Sequence, residues 1–103
     1  MTEAEAASES AGERAHQIVA RWAEVYERTA WALDHSAALA EMHAQRHAQA
    51  GQTNAAEDEH ITAQWARKAA QRARGAADRA RESADRARSP AVGRSAPTAD
   101  PER

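Results

Sequence analysis

Eight alanines, spaced alternately three and four residues apart, run through the C-terminal half of this 103-residue chain. Because an α-helix makes one turn in about 3.6 residues, side chains at this spacing lie on one face. The first proline is Pro90, so no proline interrupts a helix before it. The pattern predicts a long helix with an apolar seam along one side. The predicted seam residues are Ala63, Ala66, Ala70, Ala73, Ala77, Ala80, Ala84 and Ala87.

A second series with the same spacing predicts another long helix in the first half of the chain. Ser10 followed by Glu13 fits the capping box that opens a helix, which places the start at residue 11. Gly51 can adopt the left-handed conformation that ends a helix, which places the end near residue 50. We expect Trp22 and Tyr26 inside the seam of this helix. The full predicted seam is Ala15, Val19, Trp22, Tyr26, Ala30, Leu33, Ala37, Ala40 and Ala44.

The short stretch between the two helices predicts a hairpin. Asn54 followed by Glu57 is a second start signal, and Ser89-Pro90 stops the second helix at about residue 88. A short connection makes helices at 11–50 and 54–88 antiparallel, with the larger side chains of the first packed on alanines of the second. The predicted fold is all-α: a long alanine-rich helical hairpin between a flexible N-terminus (1–10) and a disordered C-terminal tail (89–103). Two such hairpins can pair into a four-helix bundle, as in coiled coils.

Composition limits how stable one hairpin can be. Apolar residues make up 42% of the chain, but most of them are alanine. The chain contains no phenylalanine. A dozen larger apolar side chains, each contributing roughly 1.5–3 kcal/mol when buried, barely offset an ordering entropy of about 1–2 kcal/mol per residue. We therefore expect a homo-oligomer or a complex with a protein partner.

The interface residues that the pattern favours are those off the first seam. Trp31 and Met42 share a three-and-four stripe with His35, and Leu39 lies beside it. Trp65 falls at the level of Leu39 in a hairpin. Because tryptophan is enriched at binding hot spots, we predict a protein interface formed by Trp31, Leu39, Met42 and Trp65.

A nucleic-acid interface is the alternative, because charge is unevenly distributed. Residues 1–59 contain four arginines and eleven acids, whereas residues 60–94 contain nine basic and three acidic residues. An arginine-rich helix can follow a phosphate backbone, although Asp78, Glu82 and Asp85 interrupt this one and a net charge of −2 opposes non-specific binding. The alternative contacts are Arg67, Lys68, Arg72, Arg74, Arg79, Arg81, Arg86 and Arg88.

Three histidines and a glutamate near the turn are the candidate metal ligands. His43 and His47 lie four residues apart on one helical face, and antiparallel geometry brings His60 and Glu57 to about the same level. Exposed helix-surface residues explain the same pattern, and nothing in the sequence provides supporting ligand contacts. We therefore predict no metal, no cofactor and no small-molecule substrate.

Catalysis and membrane insertion have the least support. A two-helix hairpin offers no concave pocket that excludes water, so we predict a non-enzymatic protein. The chain has no cysteine, no signal-peptide pattern and no apolar stretch of about 18 residues. These features predict a cytoplasmic protein that does not span a membrane.

Overall fold

Two long helices make up the computed structural model, which describes residues 2–88 of the chain. Helix α1 spans Glu3–Gln49 and helix α2 spans Thr53–Arg88, and residues 2–88 contain no strand. The predicted all-α helical hairpin is therefore confirmed. The predicted tail, residues 89–103, lies outside the described residues. Over residues 2–88, neither helix has a stretch both long and apolar enough to cross a membrane.

Helix α1 begins eight residues earlier than the capping-box pattern predicted. The hydroxyl oxygen of Thr2 accepts a hydrogen bond from the Glu5 amide at 3.1 Å, as an N-cap residue does. Ser10 lies inside the helix, and residues 3–10, predicted to be flexible, are helical. Alanine and glutamate are strong helix formers, and Glu3 in the first turn interacts favourably with the helix dipole.

Gly51 ends α1 as predicted. Its φ of 78° is in the left-handed region, which a residue with a Cβ adopts only at a cost. The Gln52 amide donates to the His47 carbonyl at 2.8 Å and the Gly51 amide donates to the Ala48 carbonyl at 3.1 Å. These two bonds define a Schellman motif. The Nδ1 of His47 also lies 2.6 Å from the side-chain oxygen of Gln52, which further secures the turn.

Helix α2 begins at Thr53, one residue before the predicted start, and ends at Arg88 as predicted. The first bond into the helix runs from the Ala56 amide to the Gln52 carbonyl at 3.0 Å. Asn54 therefore lies within the first turn and not in front of it, because the tight turn at Gly51 leaves no room for a longer connection.

Contacts divide the described residues into two units, one of residues 2–24 with 78–88 and one of residues 25–77. Within residues 25–77, Asp34 pairs with Arg74 and Glu41 pairs with Arg67. Since the partner number falls as the α1 number rises, the two helices run antiparallel there.

The unit of residues 2–24 and 78–88 shows the same antiparallel order. His16 Nδ1 lies 2.9 Å from the Ala84 carbonyl oxygen, and Arg88 pairs with Glu13 at 3.5 Å. A Cβ added at Gly12 would lie 3.0 Å from a backbone carbonyl oxygen of α2, so the helices approach closely at that glycine.

Every buried apolar residue among residues 2–88 is an alanine. Within residues 25–77, one cluster packs around Ala70 with Leu33 against it, and a second packs around Ala63 with Ala66 against it. The interior is therefore a narrow helix–helix seam lined by methyl groups. The buried alanines are Ala23, Ala30, Ala37, Ala40, Ala63, Ala70, Ala73, Ala77, Ala80 and Ala84.

The predicted seam of α2 is confirmed along its length, since six of its alanines are buried and Ala66 and Ala87 are half-buried. The predicted seam of α1 is confirmed from Ala30 to Ala44, and Val19 before it is half-buried, but the prediction is wrong at Ala15, Trp22 and Tyr26. Trp22 and Tyr26 are 56% and 40% exposed, and Ala23 is buried in their place.

The physical reason for this difference is size. Helices that meet through alanines lie close together, because interaxial distance depends on the side chains at the contact. An indole or phenol ring does not fit between them. The seam of α1 therefore passes through Ala23, next to Trp22, and the predicted packing of large side chains on alanines is replaced by alanine on alanine.

Candidate interaction surfaces

The larger apolar side chains are on the surface of this protein. Nine of them are between 40% and 68% exposed, including all three tryptophans. Leu33 and Val19 are half-buried. Exposed apolar side chains that occur singly are ordinary, but nine on a small hairpin are not. The nine are Ile18, Trp22, Val25, Tyr26, Trp31, Leu39, Met42, Ile61 and Trp65.

All four predicted interface residues belong to this exposed set. Trp31 is 68% exposed, and its ring stacks on that of His35 with centroids 5.4 Å apart and an interplanar angle of 3°. Leu39 and Met42 are 44% and 48% exposed on the side of α1 turned away from the seam, and Trp65 of α2 is 68% exposed. The structure thus leaves these side chains open to a partner.

One side of the seam in residues 25–77 is lined by ion pairs, and we call it the charged flank. Asp34 pairs with Arg74. The carboxylate of Glu41 accepts from His60 Nδ1 at 2.8 Å and lies 3.7 Å from Arg67. The charged flank is therefore formed by these five residues, with the acids on α1 and the basic side chains on α2.

The electrostatics of the charged flank are those of a partly exposed surface. The hydrogen bond that Arg74 donates to the Asp34 carboxylate, together with the negative charge of Asp34, raises the pKa of Arg74 above its usual high value. The guanidinium group is therefore fully protonated at any pH in which the protein works. Since arginine already titrates far above neutrality, this shift leaves stability unchanged between acidic and mildly basic pH.

The other side of the seam in residues 25–77 has a different character. Leu33 and Ala40 each precede an acid of the charged flank by one residue, a turn of about 100° that puts them across the seam. Ala66 and Ala73 precede Arg67 and Arg74 in the same way. These four residues, together with uncharged neighbours three or four positions away on the same helix, define what we call the uncharged flank. Its residues are Tyr26, Thr29, Leu33, Ser36 and Ala40 of α1, and Thr62, Ala66, Ala69, Ala73 and Ala76 of α2.

No residue of the uncharged flank carries a charge, in a chain of which 29% is charged. Sequence reasoning missed this surface because it grouped large apolar residues by themselves. The available signal was the seven-residue spacing of Asp34 with Glu41 and of Arg67 with Arg74, each preceded by an uncharged residue.

Five of the eight candidate nucleic-acid contacts already have partners within the protein. Besides Arg67 and Arg74, Arg88 lies 3.5 Å from Glu13 and Arg81 lies 3.3 Å from Asp78. Arg86 donates to the Ser83 hydroxyl oxygen at 3.1 Å. The other three make no ion pair within residues 2–88; they are Lys68, Arg72 and Arg79.

The structure does not bring the candidate metal ligands together. His60 contacts Glu41 and lies 3.3 Å from Gln64, while His47 contacts Gln52. Among residues 2–88, no three His, Asp or Glu side chains are grouped so that they could hold a metal ion. His43 and Glu57 are both exposed, consistent with ordinary helix-surface positions.

An open depression of about 300 Å³ lies in the unit of residues 2–24 and 78–88. The half-buried ring of His16 is held there by the Ala84 carbonyl at 2.9 Å. The depression mixes acidic and basic side chains and is at the small end of the range of ligand sites. Its lining consists of His16, Ala20, Ala23, Glu24, Arg81, Ala84 and Asp85.

Comparison of the chain with protein-family models, with curated proteins and with solved structures gave no match.

Proposed function

We propose that this chain is a non-enzymatic helical module that works by association, with a second copy of itself or with another protein. The supporting observation is its burial pattern. Among residues 2–88 the fully buried apolar residues are all alanines, whereas nine larger apolar side chains are 40–68% exposed. Since apolar surface removed from water contributes about 25 cal/mol per Å², association is the main way for these side chains to stabilise the protein.

The energetics of the seam support the same proposal. A buried methyl group contributes only about 0.8 kcal/mol, and ordering one residue costs about 1–2 kcal/mol of backbone entropy. An alanine seam alone is thus a weak source of stability for a two-helix protein. Coiled-coil association, such as pairing of two hairpins into a four-helix bundle, would bury the larger side chains. The absence of cysteine suits a cytoplasmic protein.

Nucleic-acid binding through α2 has weaker support. Five of its eight candidate basic residues are engaged with side chains of the same chain. Binding a phosphate backbone would have to compete with those contacts, and the net charge of −2 opposes it.

The proposal is tested by the mass of the protein in solution, measured by light scattering over a concentration series. The series is repeated at low salt and at about 1 M salt, where the Debye length falls to about 3 Å. We expect a dimer or tetramer whose mass is the same in both salts, because apolar contacts are not screened. A monomer that binds mixed-sequence DNA or RNA at low salt and releases it at high salt would contradict the proposal.

A further inference from the structure

Resting on the proposed function, we infer that the uncharged flank of residues 25–77 is the surface through which two copies of this chain meet about a two-fold axis. Three properties of that flank support the inference: its lack of charge, the sizes of its side chains and the apolar area beside it.

The first property is electrostatic. Burying a charge in an interface costs several kcal/mol unless it is well paired. The charged flank holds Asp34, Glu41, His60, Arg67 and Arg74, which satisfy one another on the surface of the same copy. The ten residues of the uncharged flank include no charged group, while His43, seven residues beyond Ser36, and Arg72, between Ala69 and Ala76, lie exposed at its edge. Of the two flanks, it is the one that can be covered at little cost.

The second property is complementarity of size. On α1 the uncharged flank contains the bulky side chains of Tyr26 and Leu33. On α2 it contains a row of small side chains, in which Ala66, Ala69 and Ala76 are half-buried and Ala73 lies buried at the edge of the seam. In a two-fold dimer the same patch occurs on both partners, so a contact made once is made twice. If α1 of each copy packs on α2 of the other, each bulky row meets a small row. The flank is therefore complementary to itself, and a second copy is the partner that it fits.

The third property is area. Three large apolar side chains border the uncharged flank: Val25 is 47% exposed, Leu39 44% and Trp65 68%. Tyr26, within the flank, is 40% exposed. With about 150–250 Å² for a whole aromatic side chain, these four expose roughly 350 Å². This apolar area is in contact with water in the single chain and can be covered by a second copy. It supplies a substantial part of the roughly 800 Å² that each partner buries in a standard interface.

The test adds charge to the uncharged flank without disturbing the fold. Thr29 and Ser36 are both exposed and lie seven residues apart on α1. The variant T29E/S36E places two acids on the flank, and glutamate favours helix more than threonine or serine does. The matched control is Q64E/Q71E, which adds the same charge at two exposed positions of α2, also seven residues apart. Gln64 contacts His60 at the outer edge of the charged flank, and Gln71 lies on the same side of α2, so both positions are away from the uncharged flank. A third variant, W31Q/M42Q, changes the outer surface of α1.

Dimer dissociation is measured by sedimentation at several concentrations, with helicity followed by circular dichroism. We expect the dissociation constant to rise at least tenfold for T29E/S36E and to stay within about twofold for the control, with helicity unchanged in both. Equal effects of the two variants would overturn the inference. Loss of the dimer in W31Q/M42Q alone would also overturn it and would leave the proposed function in place. A wild-type protein that is monomeric at every concentration would overturn the inference and limit the proposed function to a different protein partner.

Discussion

The seam and the outer surface of this hairpin reverse the usual distribution of side-chain sizes. Ala30, Ala63, Ala70 and Ala77 are at most 1% exposed, whereas Trp31 is 68% exposed. In most small domains the large apolar residues are inside and contribute most of the stability. Here the inside sets the distance and register of the helices, and the outside holds most of the apolar area. The two regions therefore differ in role: buried alanines shape the hairpin, and the larger apolar residues are exposed to solvent.

The largest expected effect comes from enlarging the seam. Ala70→Leu places three extra carbon atoms at a position that is 0% exposed, between helices that meet through alanines. Overpacking of this kind costs about 1–3 kcal/mol of unfolding free energy, which urea denaturation at low protein concentration can measure. The control is Ala38→Leu on the exposed face of α1, which should change stability by about 0.5 kcal/mol or less. An equal or higher stability for Ala70→Leu would mean that the seam is not closely packed.

A smaller effect is expected on the charged flank. Glu41→Gln weakens contacts with both His60 and Arg67, whose side chains are about half exposed. Such surface pairs contribute about 0–1 kcal/mol, and the loss should disappear at about 1 M salt, where screening is strong. Glu57→Gln, at an exposed acid with no ion pair within residues 2–88, serves as the control and should have no salt-dependent effect. A loss that persists in high salt would show that Glu41 acts through packing.

The smallest effect is expected at the tryptophan that the sequence placed inside. Trp22→Gln should change the unfolding free energy of dilute protein by about 0.5 kcal/mol or less, because the ring is 56% exposed. A buried tryptophan would cost about 3–5 kcal/mol when truncated. The neighbouring change Ala23→Gln puts an amide into the seam, and we expect it to be the more damaging of the two. Thermal unfolding of the two variants compares their stabilities directly. A lower stability for Trp22→Gln than for Ala23→Gln would mean that Trp22, and not Ala23, is buried in the seam.

Much of this fold could be predicted from the sequence because its strongest signals are local. The alanine spacing of α2 follows the helical period without interruption, and Gly51 and Pro90 mark the ends of the helices. These features depend on backbone geometry and not on what the helix packs against. They located the turn to within one residue.

The start and the first seam of α1 depended on information that local patterns lack. Thr2 and Ser10 are both good N-cap residues, and the residues between them favour helix, so propensity alone does not choose. The sequence pattern placed Trp22 in the seam, although Ala23, which is buried there, lies next to it. Hydrophobicity favours the tryptophan, but the alanines of α2 admit only the smaller side chain. That choice is made by the partner helix.

For the candidate interface, the sequence could predict only that its four residues are exposed. Exposure of Trp31, Leu39, Met42 and Trp65 followed from their positions off the seam. The uncharged flank could not be predicted, because it is defined by the ion pairs of Asp34 with Arg74 and of Glu41 with Arg67. These pairs show which residues lie on each side of the seam between the two helices.

The exposed tryptophans also have a spectroscopic consequence. Indole emission moves to shorter wavelengths when water leaves the ring, and in most proteins folding causes that shift. All three tryptophans, Trp22, Trp31 and Trp65, are 56–68% exposed in the folded hairpin. Folding of a single chain therefore removes only part of their surface from water. We therefore expect the tryptophan emission wavelength of this protein to change more when it associates with another molecule than when a single chain folds.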